Sequence, residues 1–118
     1  KAKQRTARDL IATLVQNDDA IISTQTLQEF YNAATKKLIA SKKDAGTFVK
    51  QFSDIIPVHS NTVNDVLAAI DISEASQLSF WDSLILASAK ACGCTTVYSE
   101  DLNDGQTING VKVVNPFK

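Results

Sequence analysis

The stretch SFWDSLILASAKACGCTTVY, residues 79–98, decides the fold class. Ser79 is a residue type that caps helices, and the apolar run after it predicts a helix that ends near Gly93. The β-branched residues that follow predict a strand over residues 95–99. A buried helix that leads directly into a buried strand is typical of a parallel sheet covered by helices.

The same alternation extends outward to both ends of the chain. Apolar spacing predicts helices over residues 6–16 and 24–40, and short apolar runs predict strands over residues 20–23 and 55–59. The apolar stripe of the second helix comprises Leu27, Phe30, Tyr31, Ala34 and Leu38. Strands separated by helices predict an α/β fold with a mainly parallel sheet covered on both faces, in one domain over residues 1–118.

Three local signals refine this prediction. Pro57 suggests that its strand lies at the edge of the sheet. Residues 73–77 are polar and predict a turn or a short helix. Asn109-Gly110 is a strong two-residue hairpin signal before an apolar strand over residues 111–114.

The first predicted helix has no strand in front of it. In a doubly wound fold such a helix crosses over from a preceding strand. We therefore expect a strand that precedes Lys1 in the parent protein and is missing from this chain.

Composition excludes several classes of protein. The chain has 118 residues, 12 basic and 13 acidic, for a net charge of −1, which argues against a general electrostatic nucleic-acid binder. No apolar stretch approaches the ~20 residues that cross a bilayer, so no membrane association is expected. Cys92 and Cys94 are too close for a disulfide staple and lack a second pair for zinc, so we expect reduced thiols in a cytoplasmic protein.

The acidic residues fall where ligands bind in open parallel sheets, beyond the carboxyl ends of strands. Glu29 lies on the helix after the first strand, and Asp82 lies in the first turn of the apolar helix. Glu100, Asp101 and Asp104 follow the strand over residues 95–99. Clustered carboxylates repel one another unless a cation neutralises them, and hard oxygen ligands suit Mg²⁺ or Mn²⁺. The spacing therefore indicates a candidate divalent-metal site for phosphodiester chemistry.

Each acid also has a structural explanation, so two alternatives stay open. Glu29 could be a solvated residue, and Asp82 stands at a capping-box distance from Ser79 although its helical neighbours are apolar. The first alternative is a non-catalytic interaction module whose acids are structural. The second is a receiver-like phospho-acceptor domain. Such a domain requires a lysine at the end of a late strand, which residues 111–115 do not obviously supply. The only histidine, His59, is expected to be structural, and Trp81 is expected to lie in the core.

Three ordered motifs resemble the PIN-domain ribonucleases, above all the VapC-type toxins of prokaryotic toxin–antitoxin pairs. They are ISTQTLQEFY at residues 22–31, FWDSLI at residues 80–85 and YSEDLNDGQ at residues 98–106. The resemblance spans nearly the whole chain. It implies a three-layer α/β/α sandwich that cleaves RNA with Mg²⁺ or Mn²⁺, forms homodimers and binds a cognate antitoxin. Apolar helix faces near residues 10–15 and 27–38 are candidate partner contacts.

The resemblance also assigns residues. Glu29 matches the family glutamate after the second strand, Asp82 the aspartate that opens the apolar helix, and Asp101 the aspartate after the fourth strand. These three would be catalytic and would hold the metal. Ser99 stands at the usual small hydroxyl position, and Asp104 is an auxiliary acid.

The sequence departs from the family pattern at its start. Family members begin with a central strand that ends in an aspartate, and neither is present in this chain. The resemblance therefore implies that these 118 residues alone bind metal weakly and cleave RNA poorly or not at all. Basic residues that could attract the RNA backbone are Lys1, Lys3, Arg5, Arg8, Lys36, Lys37, Lys42 and Lys43.

Overall fold

The computed structural model describes residues 2–17, 19–37 and 39–118, and of Lys3 and Gln4 it describes the backbone only. The helices in these ranges are α1 (Ala2–Gln16), α2 (Thr24–Lys36), α3 (Lys42–Ile55), α4 (Val63–Ala75) and α5 (Phe80–Ala91). The strands are β1 (Ile22–Ser23), β2 (Val58–His59), β3 (Thr96–Tyr98), β4 (Thr107–Ile108) and β5 (Val111–Val114). The chain forms two compact units. One is Thr13–Ser60. The other, called the Asn61–Lys118 unit below, also includes the segment that ends at Ala12.

The Thr13–Ser60 unit contains a parallel pair of strands and two helices. In β1 and β2, Ile22 stands opposite Val58 and Ser23 opposite His59. Helices α2 and α3 pack through aromatic rings, since Phe30 meets Phe48 and Phe52 edge to face at centroid distances of 6.4 and 6.0 Å. Such ring pairs stabilise a contact by about 0.5–1.5 kcal/mol beyond their buried area.

The strand predicted over residues 20–23 is shortened to Ile22–Ser23, and two other element boundaries in this unit differ more from the sequence prediction. The strand predicted over residues 55–59 is confined to Val58–His59, because Ile55 still belongs to α3 and the Ile56 amide donates to the Phe52 carbonyl at 2.8 Å. An apolar Ile-Ile pair fits a helix end as well as a strand, so the sequence pattern could not decide between them. Helix α2 ends at Lys36 instead of residue 40, and Leu38 lies outside the described residues.

The Asn61–Lys118 unit contains a three-stranded sheet in the order β3-β5-β4. Strand β5 runs parallel to β3 and antiparallel to β4. Helices α4 and α5 share the core of this unit with the sheet, where Leu86, Val111 and Val113 are the largest fully buried hydrophobic side chains. Of the strand pairs in the described part of the chain, only β4–β5 is antiparallel, so the mainly parallel pairing is confirmed.

The predicted Asn109-Gly110 hairpin is confirmed. Asn109 has a φ of 53° and Gly110 a φ of 84°, and the two residues join β4 to β5. Two successive residues with positive φ define the turn whose twist matches that of antiparallel strands. Asn and Gly are the residues that adopt this conformation at least cost.

Helix α4 extends into residues 73–77, which were predicted as a polar turn or a short helix. It ends at Ala75, where the Ser73 and Ser76 hydroxyls donate to the Ile70 and Ile72 carbonyls at 3.1 and 2.6 Å. These serines therefore satisfy carbonyls of the last turns, and Ser76 is the carboxy-terminal cap of the helix. Among the residues that the structure describes, no helix is long and apolar enough to cross a bilayer.

Both cysteines are free thiols at the end of α5, as predicted. Cys92 is the carboxy-terminal cap of the helix, and both side chains are half-buried. Burial raises the pKa of the Cys92 thiol, and the nearby Cys94 and Asp65 raise it further. Burial likewise raises the pKa of the Cys94 thiol.

We expect both thiols to react slowly with iodoacetamide. A raised pKa lowers the fraction of reactive thiolate at a given pH, so the alkylation rate of the native protein should rise only at higher pH than in urea. Mass spectrometry at a series of pH values, with and without urea, measures this difference. Coincident pH profiles would contradict the assigned burial effect.

Candidate active site

Asp82 lies in the first turn of α5, where Ser79 caps the helix. The Ser79 Oγ accepts a hydrogen bond from the Asp82 amide at 3.1 Å, and the Ser83 hydroxyl donates to the Ser79 carbonyl at 2.8 Å. The Asp82 side chain is half-buried, and its carboxylate has no hydrogen bond or ion pair within the described residues. The amino-terminal end of a helix favours negative charge, so this position stabilises an ionised carboxylate without engaging its oxygens.

Helix α4 shows what a complete capping box looks like in the same unit. Thr62 accepts from the Asp65 amide at 3.2 Å, and Asp65 Oδ2 accepts from the Thr62 amide at 2.9 Å. Asp65 is only 4% exposed. The sequence analysis did not name this pair, although its Thr-x-x-Asp spacing was visible. In α5 only the Ser79 half of such a box is present in the part of the chain described, so capping does not occupy the Asp82 carboxylate.

The loop after β3 is folded by its own side chains. The Ser99 amide donates to the Val114 carbonyl at 3.0 Å, and the Ser99 Oγ accepts from the Asp101 amide at 3.2 Å. Leu102 is buried and anchors the loop in the core, whereas Asp101 and Glu100 are exposed. Ser99 therefore shapes the backbone that presents the Asp101 carboxylate to solvent.

Asp104 holds the end of this loop. Its Oδ1 accepts a hydrogen bond from the Asn115 amide at 2.8 Å, and the Gly105 amide donates to the Val113 carbonyl at 2.9 Å. One carboxylate oxygen of this predicted auxiliary acid thus connects the loop to the segment after β5. The structure gives Asp104 a definite structural role, which the sequence pattern did not predict.

Glu29 lies on α2 in the Thr13–Ser60 unit. It is exposed, and its Oε2 accepts a hydrogen bond from Gln25 Nε2 at 3.2 Å. Gln25 is 3% exposed, one turn earlier on the same helix, so a buried amide restricts the rotation of the Glu29 carboxylate. The helix begins at Ser23, whose Oγ accepts from the Thr26 amide at 3.2 Å. The sequence analysis missed Gln25, although a glutamine four residues before a glutamate is a recognisable helical pair.

Trp81 corrects a sequence prediction. It was expected in the core but is 61% exposed. The reason is that the buried residues of α5 begin only at Ser83. The neighbouring Phe80 ring meets it edge to face at a centroid distance of 5.2 Å. The helix therefore displays a large aromatic ring next to Asp82.

The three predicted ligands have the chemistry that a hard divalent cation prefers. Glu29, Asp82 and Asp101 are carboxylates, and Glu29 and Asp101 are exposed to solvent. Within the described residues, no three or more His, Cys, Asp or Glu side chains form a group that could hold a metal ion. The ligand assignment therefore stays a prediction.

The basic candidates for RNA binding are exposed where the structure describes them. Arg5, Arg8, the Lys36-Lys37 pair and the Lys42-Lys43 pair have exposed side chains. Lys1 lies outside the described residues, and so does the side chain of Lys3. His59 is half-buried on β2, as a structural residue would be.

Comparison with known proteins identifies the class of fold and then the family. The structure resembles a chain of the crystal structure of DNA-bound VapBC from Salmonella typhimurium, with a TM-score of 0.69 over 92% of this chain and 82% of that one, at 18% sequence identity. This likeness confirms the predicted α/β architecture. No curated protein sequence matches the chain. The sequence profile of the PIN domain matches residues 1–103, and the chain therefore belongs to the PIN domain family.

Proposed function

We propose that this chain is the PIN domain of a VapC-type toxin that hydrolyses RNA phosphodiester bonds with Mg²⁺ or Mn²⁺. The PIN match over residues 1–103 carries the proposal, because it runs through both compact units and includes Glu29, Asp82 and Asp101. The Asp82 carboxylate gives further support. Within the described residues its oxygens accept no hydrogen bond, so they can coordinate a cation.

Asp82, Asp101 and Glu29 would hold the cation. A bound divalent cation supplies the positive charge that phosphodiester hydrolysis requires in its transition state. Asp82 contributes a negative charge from a rigid first turn of α5. Asp101 would contribute a second negative charge from the loop that Ser99 folds. Glu29 would contribute a third, from a carboxylate that Gln25 orients. Ser99 and Asp104 would act through the loop they hold.

The proposal includes protein partners. The DNA-bound VapBC structure is the support for a cognate antitoxin, which would act with the toxin in the cytoplasm. An apolar depression between α2 and α3, lined in part by Leu27, Tyr31 and Val49, is a candidate contact for the antitoxin or for a second copy. Leu27 and Tyr31 belong to the apolar helix face near residues 27–38, for which partner contact and core packing are both possible explanations.

The non-catalytic interaction module remains the second candidate. Two observations favour it: Asp65 and Asp104 have structural bonds, and no metal-binding group forms within the described residues. The two candidates differ in their dependence on metal. Binding of a cation to the native state must raise its stability, whereas structural acids give no such response.

RNA cleavage by the intact protein, including any residues that precede Lys1, tests the proposal. We expect cleavage of single-stranded RNA with Mg²⁺ or Mn²⁺, loss of cleavage in EDTA, and a higher Tm with Mn²⁺. Glu29→Gln should lower both the rate of cleavage and the rise in Tm with Mn²⁺, because it removes a carboxylate charge. Glu74→Gln is the matched control, since Glu74 is an exposed acid on α4 outside the candidate site. Equal cleavage by both variants, or cleavage unaffected by EDTA, would contradict the proposal.

A further inference from the structure

We propose that Trp81 is a stacking platform for an unpaired base of the RNA substrate, next to the scissile phosphate. The inference rests on the proposed ribonuclease function and adds to it a residue that binds the RNA. It starts from the exposure of Trp81, which is 61% although the residue opens the most apolar helix of its unit.

The Trp81 ring is exposed but held in place. Phe80 meets it edge to face at 5.2 Å with an interplanar angle of 76°. Phe80 itself is half-buried and packs against the core cluster of the Asn61–Lys118 unit. A ring supported in this way loses little conformational freedom when a flat ligand stacks on it, and this lowers the cost of binding.

The position of Trp81 also fits a nucleotide. Trp81 and Asp82 are consecutive residues in the first turn of α5, so a phosphate near Asp82 brings its attached nucleoside within reach of the indole. Bases in a duplex are already stacked on their neighbours. An exposed indole therefore favours single-stranded RNA, whose bases are free to stack.

The charge of the molecule favours such a contact. The chain carries a net charge of −1, and the candidate site is built from carboxylates that repel RNA phosphates. Attraction to basic side chains is therefore limited, and binding needs a contribution that does not depend on charge. Stacking of a base on an aromatic ring supplies such a contribution and tolerates any base sequence.

Binding of a single-stranded oligoribonucleotide to the intact protein, measured in EDTA so that the proposed metal-dependent hydrolysis does not proceed, tests the inference. Trp81→Leu should weaken binding of the single strand by about 5- to 150-fold, measured by fluorescence anisotropy of a labelled oligonucleotide. Trp81→Tyr should restore most of the affinity, because it keeps an aromatic face. Binding to the corresponding duplex should not change. In cleavage assays Trp81→Leu should raise KM with little change in kcat, as expected for uniform binding.

Leu67→Ala is the matched control, because Leu67 is also an exposed apolar residue, 55% exposed on α4. Since Trp81 is largely exposed, its variants should retain the wild-type Tm, and circular dichroism melts check this. Equal binding by wild type and Trp81→Leu would overturn the inference and leave the ribonuclease function standing. A change in oligomeric mass or antitoxin affinity, with RNA affinity unchanged, would show a protein contact and also overturn it. Absence of RNA binding by the wild type would overturn the inference, whereas the cleavage assay decides the ribonuclease function separately.

Discussion

Asp82→Asn is expected to lower RNA cleavage by the intact protein at least about 100-fold without unfolding it. The substitution keeps the size of the side chain and removes its charge. The cap of α5 persists, because the bond at 3.1 Å joins the Asp82 backbone amide to Ser79 and does not involve the carboxylate. Since that carboxylate has no partner within the described residues, its neutralisation should lower the stability of the fold by no more than about 1 kcal/mol, the usual contribution of a charge at a helix end.

Asp44→Asn provides a closely matched control. Asp44 lies in the first turn of α3, and its amide donates to the Oγ of the capping residue Ser41 at 3.1 Å, the same geometry as in α5. If Asp82 serves only the cap, the two variants will behave alike. Single-turnover cleavage at saturating Mg²⁺, with melting curves for both variants, distinguishes the outcomes. Full activity of a folded Asp82→Asn protein would remove Asp82 from the proposed site.

Leu86→Ala is expected to cost about 2–5 kcal/mol of unfolding free energy, the largest effect on stability among these predictions. Leu86 is fully buried on α5 and belongs to the core cluster that includes Val111 and Val113 of β5. Truncation removes apolar contacts and leaves a cavity, because the helix and the sheet cannot both move into the space. The expected fall in Tm is roughly 10 °C or more.

The control for this prediction is Leu67→Ala, which removes the same atoms from an exposed position on α4. We expect it to change the free energy of unfolding by no more than about 0.5 kcal/mol. Urea denaturation followed by circular dichroism gives both values under one condition. A loss below about 1 kcal/mol for Leu86→Ala would contradict the assigned core.

The parts of the fold that depend on local chemistry were predictable from sequence. The Asn109-Gly110 turn is an example, because two adjacent residues determine its positive φ angles. The start of α5 is another, because Ser79 satisfies a free amide of the first turn. Boundaries at which the same apolar residues fit either a helix or a strand were not predictable. The Ile55-Ile56 pair ends a helix instead of forming a strand, and only the backbone hydrogen bond from the Ile56 amide to the Phe52 carbonyl shows which structure forms.

The candidate site was predictable in its residue types but not in its supporting contacts. The positions of Asp82 and Asp101 after a cap and after a strand followed from the pattern of elements. The bond from Asn115 to Asp104 joins residues far apart in sequence, so no local pattern could indicate it. The exposure of Trp81 depends on where tertiary packing of α5 begins, and apolar periodicity alone placed this residue in the core. The expected strand before Lys1 stays a prediction.

The hydrogen bonds at the carboxy terminus make the last residues of the chain part of the support for the acidic loop. Asn115 donates its amide to Asp104 and accepts from the Phe117 amide through Oδ1 at 2.9 Å. A truncation at Val114 would therefore disturb the loop that presents Asp101.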